Sequence, residues 1–242
     1  MKILAFESSA KTASVALSDE GRLLGEMTID AGRTHSEILL PMAEDLLKQL
    51  KLTFGDIDGY AVTVGPGSFT GIRIGVATVK GLAFGKGAPC FGISSLEGLA
   101  YNLRGLRGII VSVLDCRRNE CYTAIFSSDG ETIVRLSEDT QMRIVDLAPL
   151  LSEHASTPIY LVGDAYEKAK ELLGALGIQT MITPEEMRLP SASSLLRIAD
   201  ERYQRGEYTD DSALTALYLK PAQAERERLE KEKQNKGDIQ NA

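Results

Sequence analysis

An α/β protein of two similar lobes is the fold class this sequence predicts, and three observations predict it. Short apolar runs of strand length alternate with longer stretches of helical period. One order of elements, three strands followed by helix, strand, helix, strand and helix, is found twice along the chain. The 242 residues are 43% hydrophobic and 25% charged. That balance suits a folded protein with a buried core and excludes disorder over most of the length.

The first lobe is expected over residues 1–103. Residues 3–9 and 13–19 are short apolar runs with strand character, and 23–29 follows the turn signal Asp19-Glu20-Gly21. Thr34-His35-Ser36-Glu37 has the S/T-x-x-E form of a capping box, so a helix is expected from Thr34 to about Leu50. Pro41 removes one ladder hydrogen bond and should kink it. Residues 59–64 read as a buried strand, 70–84 as a helix, 89–93 as a strand and 95–103 as a helix.

The second lobe is expected over residues 104–221. Residues 109–115, 122–127 and 131–136 form a three-strand meander, with Asp129-Gly130 as a hairpin turn. Then come a helix at 145–153, a strand at 159–162, a helix at 166–173, a strand at 178–182 and a helix at 193–205. This doubled connectivity is that of the actin, sugar-kinase and Hsp70 (ASKHA) superfold, whose two ribonuclease H-like lobes carry helices on their sheet faces. Residues 222–242, dense in Glu, Lys, Arg and Gln, read as a solvated charged tail.

Charge and cysteine content narrow the function classes. The net charge is −7, from 27 basic against 34 acidic residues, with no basic run and no Trp. Nucleic-acid binding draws most of its affinity from Lys and Arg on phosphates, so this chain is a poor stand-alone binder and a partner would have to carry any nucleic acid. No stretch approaches the ~20 apolar residues of a membrane span. Glu7 cuts the N-terminal apolar run short of a signal-peptide core. Cys90, Cys116 and Cys121 are odd in number and form no C-x-x-C pair, so neither a disulfide framework nor a zinc site is encoded. A reducing, cytoplasmic compartment is expected.

The most specific stretch runs Val64-Gly65-Pro66-Gly67-Ser68-Phe69-Thr70-Gly71-Ile72-Arg73-Ile74-Gly75. A buried strand enters a glycine-rich loop and leaves as a helix, a geometry that can aim free N–H groups at an anion. A Walker A loop needs Lys-Ser/Thr after its last glycine, but Ile72-Arg73 follows Gly71, and the dinucleotide pattern needs a glycine where Thr70 sits. A tight strand-to-helix connection with glycines chosen for packing is the alternative. The remaining candidates are weaker. His35 lies beside a helix cap, and His154 in a polar stretch. Asp115 ends a strand, and Arg117-Arg118 read as a solvated loop.

That glycine-rich segment, followed by Val79-Lys80-Gly81-Leu82-Ala83, resembles the signature of the TsaB (YeaZ) family, the small subunits of the bacterial tRNA threonylcarbamoyladenosine synthase. Glu7-Ser8-Ser9, His35-Ser36-Glu37 with Leu39-Leu40-Pro41, and Ser94-Ser95-Leu96-Glu97 agree with it. So do Asp115-Cys116-Arg117, Glu120-Cys121-Tyr122 and Ala216-Leu217-Tyr218-Leu219-Lys220-Pro221. The likeness covers nearly the whole chain up to about Pro221.

The resemblance implies a non-catalytic scaffold that pairs with a catalytic paralogue, TsaD. With the small ATPase TsaE, the pair would transfer threonylcarbamoyl to an anticodon-loop adenosine. tRNA would be met only through the complex, and the chain would be a homodimer when alone. TsaD holds a metal with two histidines four apart on one helical face. The matching positions here are Ser95 and Leu99, and Lys11 and Thr12 stand where the paralogue has acidic residues, so no metal, cofactor or catalytic residue is expected. The rival class is an independent enzyme, an ATP phosphotransferase or an M22-type peptidase. It would need Mg²⁺-holding carboxylates at a phosphate loop, or the histidine pair.

The partner interface is expected on the helices at 36–50 and 70–84, through Ile38, Leu39, Met42, Ala43, Leu46, Leu50, Gly71, Ile74, Gly75, Thr78 and Leu82. The apolar band of the first helix is wider than the ~100° stripe that covers one sheet face. The glycines of the second helix cost ~1 kcal/mol each against Ala unless another backbone comes close. Packing of both helices on each other and on their own sheet is the competing reading, and the resemblance favours the interface.

Overall fold

The computed structural model describes residues 1–30 and 34–219. The expected tail at 222–242, and Lys220-Pro221 of the last signature segment, lie outside the described residues. Strands β1 (Lys2–Glu7), β2 (Ala13–Asp19) and β3 (Arg22–Ile29) are followed by helix α1 (His35–Gln49), β4 (Gly59–Gly65), α2 (Phe69–Ala83), β5 (Cys90–Ser94) and α3 (Ser95–Tyr101). The second round is β6 (Arg107–Asp115), β7 (Glu120–Asp129), β8 (Ile133–Arg135), β9 (Thr140–Arg143), α4 (Leu147–Ser152), β10 (Ile159–Val162), α5 (Tyr166–Gly174) and α6 (Ala192–Gln204). The first sheet has the order β3-β2-β1-β4-β5, with β1, β4 and β5 parallel. The second has β10-β6-β7-β8, with β9 also paired to β7. This is the two-lobed ASKHA architecture.

The strands obey the period of two that a sheet covered on both faces requires. Along β1, Leu4 and Phe6 enter the core under α1 and α2, while Ile3 and Ala5 enter the core under α6. Along β6, Ile109, Val111 and Val113 meet α4 and α5, and Ile110 and Leu114 meet α3. The helix that closes each round thus covers the other round's sheet. Helix α3 follows β5 but lies on β6 and β7, and α6 lies on β1 and β2. The two cross between the sheets, and a Cβ on Gly98 would meet Leu195 Cδ2 at 2.8 Å. Arg202 of α6 ties the crossing, donating to Glu97 Oε2 at 2.6 Å and to the Gly92 carbonyl at 2.8 Å.

Two local expectations are corrected, and two elements appear that were not expected. The Thr34 side chain makes no cap hydrogen bond to the helix backbone; its hydroxyl lies 3.2 Å from that of Ser36. Thr53 and Asp56 instead form a reciprocal capping box at a short 3₁₀ turn. Residues 178–182 make one bridge, Tyr160 to Met181, and no strand. The Thr183 hydroxyl takes the Leu161 carbonyl at 2.8 Å, which is the acceptor a further ladder bond would use. Strand β9 was not expected, because Thr-Gln-Met-Arg has no apolar alternation. Its pairing is set by β7.

Leu195, fully buried between the sheets, measures how far the crossing helices hold the lobes. Leu195→Ala should lower the unfolding free energy by about 2–5 kcal/mol in chemical denaturation. A loss no larger than that of an exposed site would mean the crossing adds little.

Candidate functional site

The glycine-rich loop is built against the turn that follows β1. The Ser68 N–H donates to the Ser9 carbonyl at 2.7 Å, and the Ser8 hydroxyl donates to the Gly71 carbonyl at 2.9 Å. Ser68 caps α2 by accepting the Gly71 N–H at 3.2 Å. Side chains are excluded along this seam. A Cβ on Gly67 would collide with the Ser9 carbonyl, one on Gly71 with the Ser8 carbonyl, and one on Gly75 with the Ser8 hydroxyl. Gly67 also has φ +151°, which disfavours any L side chain. The Ser68 amide is thus committed to the chain's own turn and the Gly71 amide to the Ser68 cap, which supports the packing reading for this loop.

Under the seam sits Glu7, 1% exposed at the end of an otherwise apolar strand. Its Oε1 accepts the Ser9 N–H and the Ser9 hydroxyl, both at 2.6 Å. Burial pushes its carboxyl from the usual 4.5 up to about 7, against the lowering effect of the Ser9 hydrogen bonds. This carboxylate shapes the turn on which α2 rests. The signal was visible in the sequence as the one acid in the β1 run.

A cleft of about 320 Å³ opens beside the same turn, lined by Lys11, Thr12, Asp30, Asp115, Asp164 and Lys168 among others. Lys168 Nζ reaches Asp115 Oδ1 at 3.3 Å, and Asp164 Oδ1 accepts the Asp115 N–H at 2.7 Å. Three carboxylates face two ammonium groups there. Asp115 ends a strand where this superfold often places an acidic residue, and the sequence alone favours a plain strand terminator; the fold makes it a cleft residue. Arg117, Arg118 and Asn119 turn the hairpin beyond it with φ of 76°, 54° and 62°.

Ser95 and Leu99 are fully buried on α3 between the sheets, the Ser95 hydroxyl without a partner. No group of three or more His, Cys, Asp or Glu comes together among the described residues. His35 starts α1, its Nε2 3.3 Å from the Thr12 carbonyl, and His154 follows α4 in the other lobe. No described helix is long and apolar enough to cross a membrane.

The expected interface residues divide sharply. Ile38, Leu39, Met42, Ala43 and Leu46 are buried in the first-lobe core. The wide band of α1 meets two surfaces of its own protein, the β2–β3 face and α2. Gly71 and Gly75 are buried too, Gly71 against the Ser8 carbonyl and Gly75 against the Ser8 hydroxyl. Leu50, Ile74, Thr78 and Leu82 are half-buried at the edge of this packing. The open face of α2 is instead Phe69, Arg73, Ala77 and Gly81, one turn apart, with Phe84 78% exposed at its end. The apolar pattern marks the inward stripe and so does not pick out these outward residues.

Comparison with known proteins agrees with this architecture. The family model described as TsaD, tRNA N6-adenosine threonylcarbamoyltransferase, matches residues 27–228. The tRNA threonylcarbamoyladenosine biosynthesis protein TsaB of Bacillus subtilis is 30% identical over 233 residues, 96% of this chain and 100% of that protein. The solved structure of YeaZ from Pseudomonas aeruginosa is 28% identical with a TM-score of 0.74, covering 90% of this chain and 99% of that one. The tRNA N6-adenosine threonylcarbamoyltransferase of Rhizobium meliloti is 29% identical over 194 residues, 72% of this chain but 49% of its own length.

Glu7 makes a pH test of the seam. A carboxyl raised from 4.5 to about 7 leaves the folded state holding a proton that the unfolded state has lost between those values. Its contribution to stability is present below pH 4.5 and is lost as pH rises through 7, a difference of roughly 3 kcal/mol. Glu7→Gln keeps an acceptor for Ser9 and should flatten this slope, giving a protein more stable than the parent above pH 7. Parallel stability curves for the two across pH 4.5–8 would contradict the assignment.

Proposed function

The chain belongs to the tRNA N6-adenosine threonylcarbamoyltransferase family, on its TsaB branch, and from this we propose that it is the non-catalytic subunit of a complex making threonylcarbamoyladenosine in tRNA. Its place in that biosynthesis follows from the relatives. The scaffold role rests on one observation above the others: the glycine-rich loop is closed on the chain's own Ser8–Ser9 turn. Ser95 and Leu99, matched to the paralogue's metal ligands, are packed inside the molecule, which supports the same reading.

The catalytic partner is a larger paralogue of the TsaD type, and an ATPase of the TsaE type acts through the complex. A net charge of −7 favours tRNA being held by the partner. The complex works in the cytoplasm, and without its paralogue the chain pairs with a second copy. Docking uses the outer side of α2 with the adjoining edge of α1, where Leu50, Ile74, Thr78 and Leu82 approach the surface. A rigid helix presented on a packed seam loses little entropy on binding, which suits a subunit that acts by holding another in place.

The seam dictates how the surface is tested. Gly75→Arg would collide with Ser8 and disturb the fold, so it cannot isolate the interface. Ala77 is exposed, and Ala77→Arg changes only the outer face. An unpaired charge buried in a protein interface costs several kcal/mol, so this variant should weaken paralogue binding about a hundredfold with an unchanged melting temperature. Native affinity in folded Ala77→Arg would remove α2 from the interface. The isolated parent chain should hold no stoichiometric metal and turn over no ATP; metal analysis and a phosphate-release assay would reveal an independent enzyme.

A further inference from the structure

The N-terminal end of α2 carries an aromatic and cationic cluster assembled from two distant parts of the chain. Phe69 opens the helix, and Tyr218 is laid against it with ring centroids 5.0 Å apart. Arg73, one turn on, places its guanidinium 5.2 Å from the centre of the Phe69 ring. Phe69 is 38% and Tyr218 44% exposed. Arg73 is exposed and has no ion pair among the described residues.

Tyr218 reaches this place because the segment after α6 is strapped across the first lobe. Thr209 and Cys90 exchange backbone hydrogen bonds of 3.0 and 2.8 Å. Lys80 of α2 holds the carbonyls of Ser212 and Leu214, each at 3.1 Å, and Leu214 is buried in the core. The Leu217 N–H then donates to the Val64 carbonyl at 2.6 Å, and the Leu217 carbonyl fills the space left by the absent side chain of Gly65. Leu214 of this strap is buried in the core and Ala216 packs against it. The strap's end is held firmly and yet spreads an aromatic ring on the surface, which a covering strap alone does not require.

We propose that Phe69, Arg73 and Tyr218 form a composite anchor for the partner that covers α2, with an apolar group of the partner on the Phe69–Tyr218 shelf and a carboxylate against Arg73. The occupant is the larger paralogue, and the inference rests on the reading that α2's outer face is its docking surface. Three observations favour it. Phe69 and Arg73 continue without a break into Ala77 and Gly81 along one helical face, so a partner lying on that face meets the cluster. An exposed guanidinium stacked on a ring, with no acid paired to it among the described residues, is complementary to a carboxylate. Aromatic residues and Arg are the residue types that dominate binding energy at the centre of interfaces.

The test compares Arg73→Glu, Tyr218→Ala and Ala77→Arg for affinity to purified paralogue, with a melting curve for each. Arg73→Glu and Tyr218→Ala should each weaken binding about tenfold or more. The double variant should lose less than the product of the two, because the residues touch one cluster. Arg73→Glu leaves the strap untouched and carries the test if Tyr218→Ala loosens the fold. Native affinity in Arg73→Glu, with Ala77→Arg abolishing binding, would overturn the anchor and leave the docking surface standing. Native affinity in Ala77→Arg would overturn the surface itself.

Discussion

Everything distinctive about the first lobe depends on how closely helix α2 approaches the Ser8–Ser9 turn. Gly67 and Gly71 meet the Ser9 and Ser8 carbonyls and Gly75 meets the Ser8 hydroxyl, an approach possible only because all three lack side chains. Hydrogen bonds from Ser68 to Ser9 and from Ser8 to Gly71 lock the approach from both sides. A glycine in a helix interior costs ~1 kcal/mol against Ala, so helix propensity alone would not place two of them in α2. The close contact offsets that cost. The buried Glu7 carboxylate beneath it holds Ser9 in the one orientation that lets the loop dock.

The same seam decides what the site can do. Nucleotide-binding members of a two-lobed fold need free amides and a place for phosphate between the lobes. Here the Ser68 amide is spent on an internal turn and the Gly71 amide on the helix's own cap. With its inward face committed, α2 can act only through its outward face. The strap from Thr209 to Tyr218 reinforces that face, since Lys80 of α2 holds the strap's carbonyls. The crossing of α3 and α6 between the sheets joins both lobes into the support behind it.

Much of the fold was legible in the sequence because strand and helix periods are local. The alternation of Ile3, Leu4, Ala5 and Phe6 between two cores is the pattern a doubly covered strand must show. What was not legible is which surface an apolar stripe meets. The broad band on α1 was correctly seen as facing two surfaces, but the second is α2 of the same chain. Of the α2 glycines, Gly71 admits a close backbone, the Ser8 carbonyl, while Gly75 meets the Ser8 hydroxyl and Gly81 nothing, and no local pattern assigns these neighbours. Residues 178–182 have strand composition but make one bridge, and beyond it the Thr183 hydroxyl, not a ladder amide, is seen on the Leu161 carbonyl. Tyr218 is 149 positions from Phe69 in a segment without regular structure, so no sequence pattern could join them.

The central claim is that α2 is seated from within so that its outer face can hold a partner. Hydrogen exchange on the protein alone and bound to its larger paralogue measures this directly. The account predicts slow exchange in residues 69–83 of the free protein, with a further strong slowing there on binding, and no change at α4 and α5 on the opposite side. Unchanged exchange in 69–83, with protection appearing at the inter-lobe cleft or at α4 and α5, would contradict it.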